Sequence, residues 1–191
     1  MEDKKIDRRI RRTKALLLEG FTKLMMEKDI NQISVKELAD YADINRGTFY
    51  LHYKDVYDML SKVEGELFVE FKEILDEKMS CGADAEPIDV LAGIFTLLYH
   101  NKEIVTAMTG PHGDLSFVSQ LKELVKERLQ YYWGQKKFKE DNFEYYYSFV
   151  VSGFIGLLDV WIAKGFNKTP LEMAGMYEWI AISGMEVLSG K

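Results

Sequence analysis

The stretch SVKELADYADINRGTFYLHYKD, Ser34 to Asp55, decides the fold. Ser34 stands three residues ahead of Glu37, the spacing of a capping box, in which each side chain satisfies the other's free backbone donor. A short helix follows from Val35 to about Ala42, with Val35, Leu38, Ala39 and Ala42 on one face and Ala39 small enough for another helix to cross closely. Asp43 falls where a tight turn demands a left-handed backbone, which Asp and Asn tolerate better than other non-glycine residues. Ile44 returns to the core, and Asn45 can cap a third helix from Arg46 to about His52. Two helices joined by so short a turn cross steeply, as in a helix-turn-helix.

The third helix carries little apolar surface. Phe49 and part of Tyr53 suffice to seat it, which leaves Arg46, Gly47, Thr48, Tyr50 and His52 outward. A polar face of that kind calls for a partner. Upstream, KKIDRRIRRTK sets Lys4, Lys5, Arg8, Arg9, Arg11, Arg12 and Lys14 against a single Asp7. Such a block is either a solvated terminus or a surface for a polyanion. It opens a first helix, about Ile6 to Lys28, striped by Ile10, Leu17, Phe21 and Leu24 with Leu18 and Met25 beside them.

Downstream, Asp55 can cap a long helix to about Met79, striped by Val56, Met59, Leu60, Val63, Leu67, Phe71, Ile74 and Leu75. At ~1.5 Å per residue it reaches ~37 Å, longer than a three-helix headpiece needs, and should connect two domains. SCGADAEP, Ser80 to Pro87, is the clearest break. Further helices read near Ile88–His100, Lys102–Met108, Leu115–Trp133, Asn142–Lys164 and Pro170–Leu188. No βαβ alternation shows itself, so the fold class is all-α. The division expected is a helix-turn-helix domain over residues 1–54 and a larger helical domain over 55–191, with helix 55–79 linking the two.

Composition bounds the function. In 191 residues with 47% apolar content a real core can form. The net charge of −6 conceals a division: residues 1–54 hold 12 Lys and Arg against 9 Asp and Glu, and the remainder holds 13 against 22. No run of about 18 uncharged apolar residues suggests a membrane span, and the charged amino terminus is unlike a signal peptide, so a cytoplasmic protein without a membrane partner is expected. Cys81 alone cannot form an internal disulfide, and His52, His100 and His112 are too scattered for a zinc spacing. No metal and no cofactor are expected.

The run RRTKALLLEGFTKLM through SVKELADYADINRGTFYLHYKDVYDML resembles the TetR/AcrR family of bacterial transcriptional regulators, whose amino-terminal three-helix domain contains a helix-turn-helix. The likeness covers about the first 60 residues, and the carboxy-terminal GFIGLLDVWIAKGF with the last apolar helix looks like the dimerising end of such regulators, of a sort found in Gram-positive bacteria. The resemblance implies a homodimer whose two headpieces bind a palindromic double-stranded DNA operator, with a small-molecule effector of unknown identity held in the larger domain, and repression relieved by that effector. Two positions depart from the family's pattern. Asp43 stands at the turn position where glycine is common, and Val56 where a lysine often opens the fourth helix, with Lys54 two places earlier.

Roles follow from residue chemistry. Arg46 could pair bidentately with guanine, while Thr48 and Tyr50 could donate to phosphates or touch a thymine methyl. Gly47 permits close backbone approach, and Asn45 caps the helix that does so. Ser34, Lys36, His52, Lys54 and the Arg8–Lys14 block, Arg11 among them, suit the phosphate backbone. The plain alternative is that these are surface residues of a small helical domain. For a ligand site, Phe95, Tyr99, His100, Trp133, Tyr146 and Phe149 could line a cavity, or be ordinary core. Phe143, Tyr147, Val150, Phe154, Leu157 and Trp161 form a seam with Gly153 and Gly156 off it, and Tyr177, Ile180 and Gly184 lie in a comparable stripe of the last helix. These seams could build a four-helix dimer interface or pack within one chain. An enzyme would need converging catalytic groups that three isolated histidines do not supply. A helical protein-interaction adaptor is the competing reading.

Overall fold

The computed structural model describes the backbone of residues 2–80, 87–113, 115–135 and 142–189, and the side chains of 8–77, 87–113, 116–131 and 142–181. Among these every regular element is helical: α1 (Glu2–Glu27), a 3-10 turn at Ile30–Gln32, α2 (Val35–Tyr41), α3 (Arg46–Tyr50), α4 (Val56–Ser80), α5 (Pro87–His100), α6 (Lys102–Thr109), α7 (Leu115–Gln135), α8 (Phe143–Ala163) and α9 (Pro170–Ser189). The all-α expectation holds, and the seven helices outside the headpiece turn begin and end within a few residues of the periodicity. The 3-10 turn was not foreseen, and α3 is two residues shorter than read. SCGADAEP, save its ends, and Cys81 lie outside the described residues.

The chain divides into two compact units, residues 1–67 with 103–115, and residues 68–102 with 116–191. Helix α4 contributes Val56, Met59, Leu60, Val63 and Leu67 to the first core and Phe71 and Leu75 to the second. In the first unit Leu17, Phe21, Leu24 and Met25 of α1 are buried with Leu38, Ala39, Phe49 and Tyr53. Gly20 is what brings α1 and α2 together, since a Cβ there would lie 2.7 Å from Tyr41 Cδ1 and 3.2 Å from Leu38 Cδ1. Ile10, placed in the core stripe by periodicity, is 39% exposed, because α1 begins more than a turn before the residues that α2 and α3 cover.

The second unit centres on Phe95 of α5, Val150, Leu158 and Trp161 of α8, and Met173, Ala174 and Tyr177 of α9. Gly93 lets α5 lie against α4, where an added Cβ would meet Ile74 Cγ2 at 2.9 Å. Helix α8 ends in a Schellman turn: Phe166 N–H donates to Trp161 O and Gly165 N–H to Ile162 O, both at 2.8 Å, with the Phe166 ring packed on Trp161 at 4.9 Å between centroids. That ring contact, with the Trp161 indole donating to Lys168 O, holds Phe166 at φ 56°, an unfavourable conformation for an aromatic residue. Thr169 and Glu172 then start α9 with a reciprocal capping box: Thr169 N–H and hydroxyl donate to Glu172 Oε2, and Glu172 N–H donates back to Thr169 Oγ1.

Candidate nucleic-acid interface

The turn between α2 and α3 is built by backbone bonds around one strained residue. Ser34 Oγ accepts from Glu37 N–H at 3.2 Å and starts α2. The other half of the expected box is replaced: the Glu37 carboxylate pairs with the Lys28 ammonium, tying α2 back to the end of α1. At the far end Ile44 N–H donates to Ala39 O at 3.0 Å and Asp43 N–H to Asp40 O at 3.3 Å, with Asp43 at φ 51°. This is the Schellman arrangement with an aspartate where glycine is most at ease. Asn45 Oδ1 then accepts from Gly47 N–H at 2.7 Å and launches α3.

One side of α3 is core: Phe49 is fully buried, Tyr53 is 6% exposed, and their rings lie 5.6 Å apart. Burying Phe49 stabilises by about 1.5–3 kcal/mol, enough to seat a five-residue helix. The other side is open. Asn45, Arg46, Gly47 and Tyr50 are exposed, Thr48 and His52 half-buried. Tyr50 stands edge-on to Phe49 at 5.5 Å, which fixes its ring direction. Ser34, Lys36 and Lys54 are exposed on the same unit. Leu51, to which sequence reading gave no role, is 80% exposed at the end of α3. Its signal was present in the helical screw, which sets it opposite Phe49 and Tyr53.

A second set of bonds fixes where the chain leaves α3. Asp55 Oδ1 accepts from Asp58 N–H at 2.8 Å, and Asp58 Oδ2 accepts from Lys54 N–H at 2.9 Å. Lys62 donates to Asp58 Oδ2 at 2.8 Å and to His52 O at 3.0 Å, its ammonium 5.3 Å from the Tyr53 ring centre. The Lys62 hydrogen bond, then the Lys54 amide, hold the Asp58 carboxyl below the usual aspartate value. Thus α4 secures the end of α3 through Lys62.

Of the basic block on α1, Arg9 and Arg12 border an open groove that also takes in Thr13, Leu16, Tyr41, Ala42 and Asp43. Two guanidiniums therefore lie beside the turn. Arg8, Arg11 and Lys14 are exposed elsewhere along α1, Arg11 outside this groove.

The residues expected to hold a ligand differ in their exposure. Phe95 and Tyr146 are buried in the second core, Tyr99 stacks on Trp161 at 5.9 Å, and His100 is exposed. Phe149, 54% exposed, borders a hollow of about 60 Å³ with Gly153, Tyr177 and Ile180, too small for an effector. Trp133 and Gly184 carry side chains outside the described residues. The seam proposed for a dimer is largely spent within the chain: Phe143, Val150, Trp161 and Tyr177 are each under 9% exposed, and Tyr147, Phe154 and Leu157 are half-buried against the same core. A residue so covered has little surface left for a second chain, and of the named set only Ile180 is exposed among the described residues.

The apolar surface lies next to that seam. Tyr145, Phe149 and Val160 of α8, and Leu171, Met176, Trp179 and Ile180 of α9, are all at least 42% exposed. Among the described residues an added Cβ at Gly153, Gly156 or Gly175 would meet nothing within 4 Å. Helix α8 also has the length and mean hydropathy, 1.5, of a membrane-crossing helix, with 22% of that stretch buried. Glu144 and Asp159 interrupt it, so it holds no run of about 18 uncharged apolar residues.

A three-helix unit that buries one face of a short third helix, exposes the other, and sets arginines beside the turn defines a helix-turn-helix regulator. The family model described as "Bacterial regulatory proteins, tetR family" matches residues 17–63, and that described as "Transcriptional regulator C-terminal region" matches residues 85–182. The chain belongs to the TetR family of bacterial transcriptional regulators. It is 35% identical over 49 residues to the HTH-type transcriptional regulator YxbF of Bacillus subtilis, covering 26% of this chain and 13% of that one. It is 29% identical over 63 residues to the HTH-type transcriptional repressor BepR of Brucella suis, covering 33% and 30%. The chain thus spans less than a third of the length of these relatives in alignment. The fold is like that of FadR, a fatty acid degradation regulator of Bacillus halodurans, at TM-score 0.70 and 16% identity, over 90% of this chain and 95% of that one.

Proposed function

We propose that this protein is a homodimeric, sequence-specific DNA-binding repressor in the cytoplasm, held on a palindromic operator and released by a small-molecule effector. The division of labour is a DNA-binding domain over residues 1–54 and an effector-binding and dimerising domain over 55–191. Base reading falls to the exposed side of α3, Arg46, Thr48 and Tyr50 above all, with Gly47 allowing close approach. Phosphate contacts fall to Ser34, Lys36, His52, Lys54 and the arginines of α1.

The observation that carries this reading is the two-sidedness of α3: Phe49 has no exposed surface, whereas Arg46, Gly47 and Tyr50 are open to solvent. An exposed arginine and tyrosine on so small a helix suit contact with base edges and phosphates. The open glycines and exposed aromatics on the outer sides of α8 and α9 supply a surface on which a second copy could pack.

The test is selection of binding sites from a random duplex pool with the full chain, followed by titration at several salt concentrations. A two-fold symmetric sequence, bound more tightly than random duplex and with affinity falling steeply in salt, supports the reading. Equal binding to selected and random duplexes would defeat it. Effector release is tested separately, by adding candidate small molecules to the preformed complex and measuring loss of operator binding.

A further inference from the structure

Leu51 is the most exposed large apolar side chain among the described residues. It lies at the carboxy-terminal end of α3, beside the exposed residues assigned to DNA. Its backbone is helical, φ −71° and ψ −19°, and Tyr53 N–H donates to Phe49 O at 3.0 Å, so the screw of α3 continues through it. At about 100° per residue, Leu51 points about 160° away from both Phe49 and Tyr53, the two rings that face the core. Its nearest neighbours on that face are Gly47, about 40° away one turn earlier, and Thr48, about 60° away. Gly47 presents no side chain and Thr48 is half-buried, which leaves Leu51 the most exposed side chain among these neighbours.

An isobutyl group in that position cannot donate or accept a hydrogen bond. In the major groove the base edges offer amino groups, carbonyls and ring nitrogens, and one methyl group, the 5-methyl of thymine. A leucine brought into the groove on a helix whose preceding turn is bare glycine gains only where a methyl meets it. We propose that Leu51 determines specificity by packing on a thymine methyl, once in each half of the operator. This rests on the operator-binding reading above and adds to it a base and a contact. It also moves the methyl contact from Thr48 and Tyr50, where sequence reasoning placed it, to the residue between Tyr50 and His52.

The experiment replaces thymine with uracil, which removes the methyl and leaves base pairing intact. Each symmetry-related pair of thymines in a selected operator is exchanged in turn, and binding of the full chain, Leu51→Ala and Leu51→Met is measured. Burial of one methyl corresponds to about 4-fold in affinity, and two half-sites to about 15-fold. At one pair of positions uracil should weaken the native protein by about 15-fold. Leu51→Ala should bind the thymine operator comparably weakly and show no further loss on uracil, while Leu51→Met keeps sensitivity to the methyl.

Uracil sensitivity that survives in Leu51→Ala overturns the proposal, because another group then reads the methyl. So does a Leu51→Ala loss that is equal on operator and random duplex, the mark of a sugar or backbone contact. If selection yields no preferred duplex, the repressor reading itself fails and this one with it; a selected operator without a coupled Leu51 and thymine effect removes only the present proposal.

Discussion

The backbone N–H of Ile44 donates to the carbonyl of Ala39 at 3.0 Å across Asp43, whose φ is 51°. The helix-turn-helix is therefore closed by a left-handed aspartate. Glycine at this position removes the Cβ strain, so Asp43→Gly should stabilise the first unit by up to about 1 kcal/mol, whereas Asp43→Ile should cost about 1–3 kcal/mol. Because Asp43 borders the groove with Arg9 and Arg12, removing its charge should also tighten binding to any duplex. Asp43→Asn separates the two effects, keeping the turn while deleting the charge. Urea unfolding and titration with random duplex check both outcomes.

The legibility of the sequence followed the range of the interactions. Ser34, Asp43 and Asn45 act on backbone groups two to five residues away, so their roles could be read from spacing, and the structure shows those bonds. Glu37 could not be read so well, since its carboxylate leaves the capping box for Lys28, nine residues off. The close approach at Gly20 depends on Tyr41 and Leu38 from another helix, and no local pattern reveals it. How much of the expected dimer seam packs within the chain depends likewise on distant partners. Periodicity finds that α8 has apolar residues on several faces, and only packing shows that α5 and α9 take the face holding Val150 and Trp161, leaving the one holding Tyr145 and Phe149. The helical angle of Leu51 is legible in the sequence, whereas the exposure of a leucine on a polar helix is visible only once the core is known.

Arg46 and Arg12 should fail differently when removed. Arg46 is exposed at the first position of α3, where a guanidinium can reach a guanine edge, and Arg46→Ala should cost discrimination at one base pair per half-site by about 1–3 kcal/mol. Arg12 lies beside the turn on α1, and Arg12→Ala should weaken binding to all sequences alike and reduce the salt slope by about 1 per subunit. Arg11→Ala is expected to behave as Arg12→Ala. Titration of operator and single-base variants at several salt concentrations separates the classes; equal losses on every variant for Arg46→Ala would place it on the backbone.

Acid should loosen the junction between α3 and α4. The folded state holds Asp58 ionised through Lys62 and the Lys54 amide, so its value lies below the ordinary 3.8. A lowered carboxylate contributes stability that is present above the unfolded value and lost as pH falls from there through the folded one. Stability of the native chain should decline below about pH 4 in part through this group, and Asp58→Asn should flatten that part of the profile while lowering stability near neutrality. Thermal melts between about pH 3 and pH 7 provide the comparison. An unchanged acid limb in the variant would show that the Lys62 bridge between Asp58 and the His52 carbonyl does not tie α3 down.

The outer sides of α8 and α9 make the sharpest demand on the repressor reading. Phe149 is 54% and Trp179 75% exposed, and Gly153, Gly156 and Gly175 stand open, although a glycine inside a helix costs about 1 kcal/mol against alanine. Among the described residues nothing approaches these glycines closely enough to require them, whereas a second copy related by a two-fold axis would bring its own helices over them. Phe149→Glu combined with Trp179→Glu places four unpaired carboxylates in such an interface and touches no residue of the second core. Sedimentation should then shift from dimer to the 22.2 kDa chain, with the helical signal and melting of the first unit retained. Operator affinity should fall by about 100-fold or more, since each headpiece loses the effective concentration supplied by its tethered twin. Phe143→Glu, by contrast, buries a charge in the core and should unfold the second unit rather than split a folded dimer. A doubly substituted protein that remains dimeric and binds its operator undiminished would remove α8 and α9 from the interface.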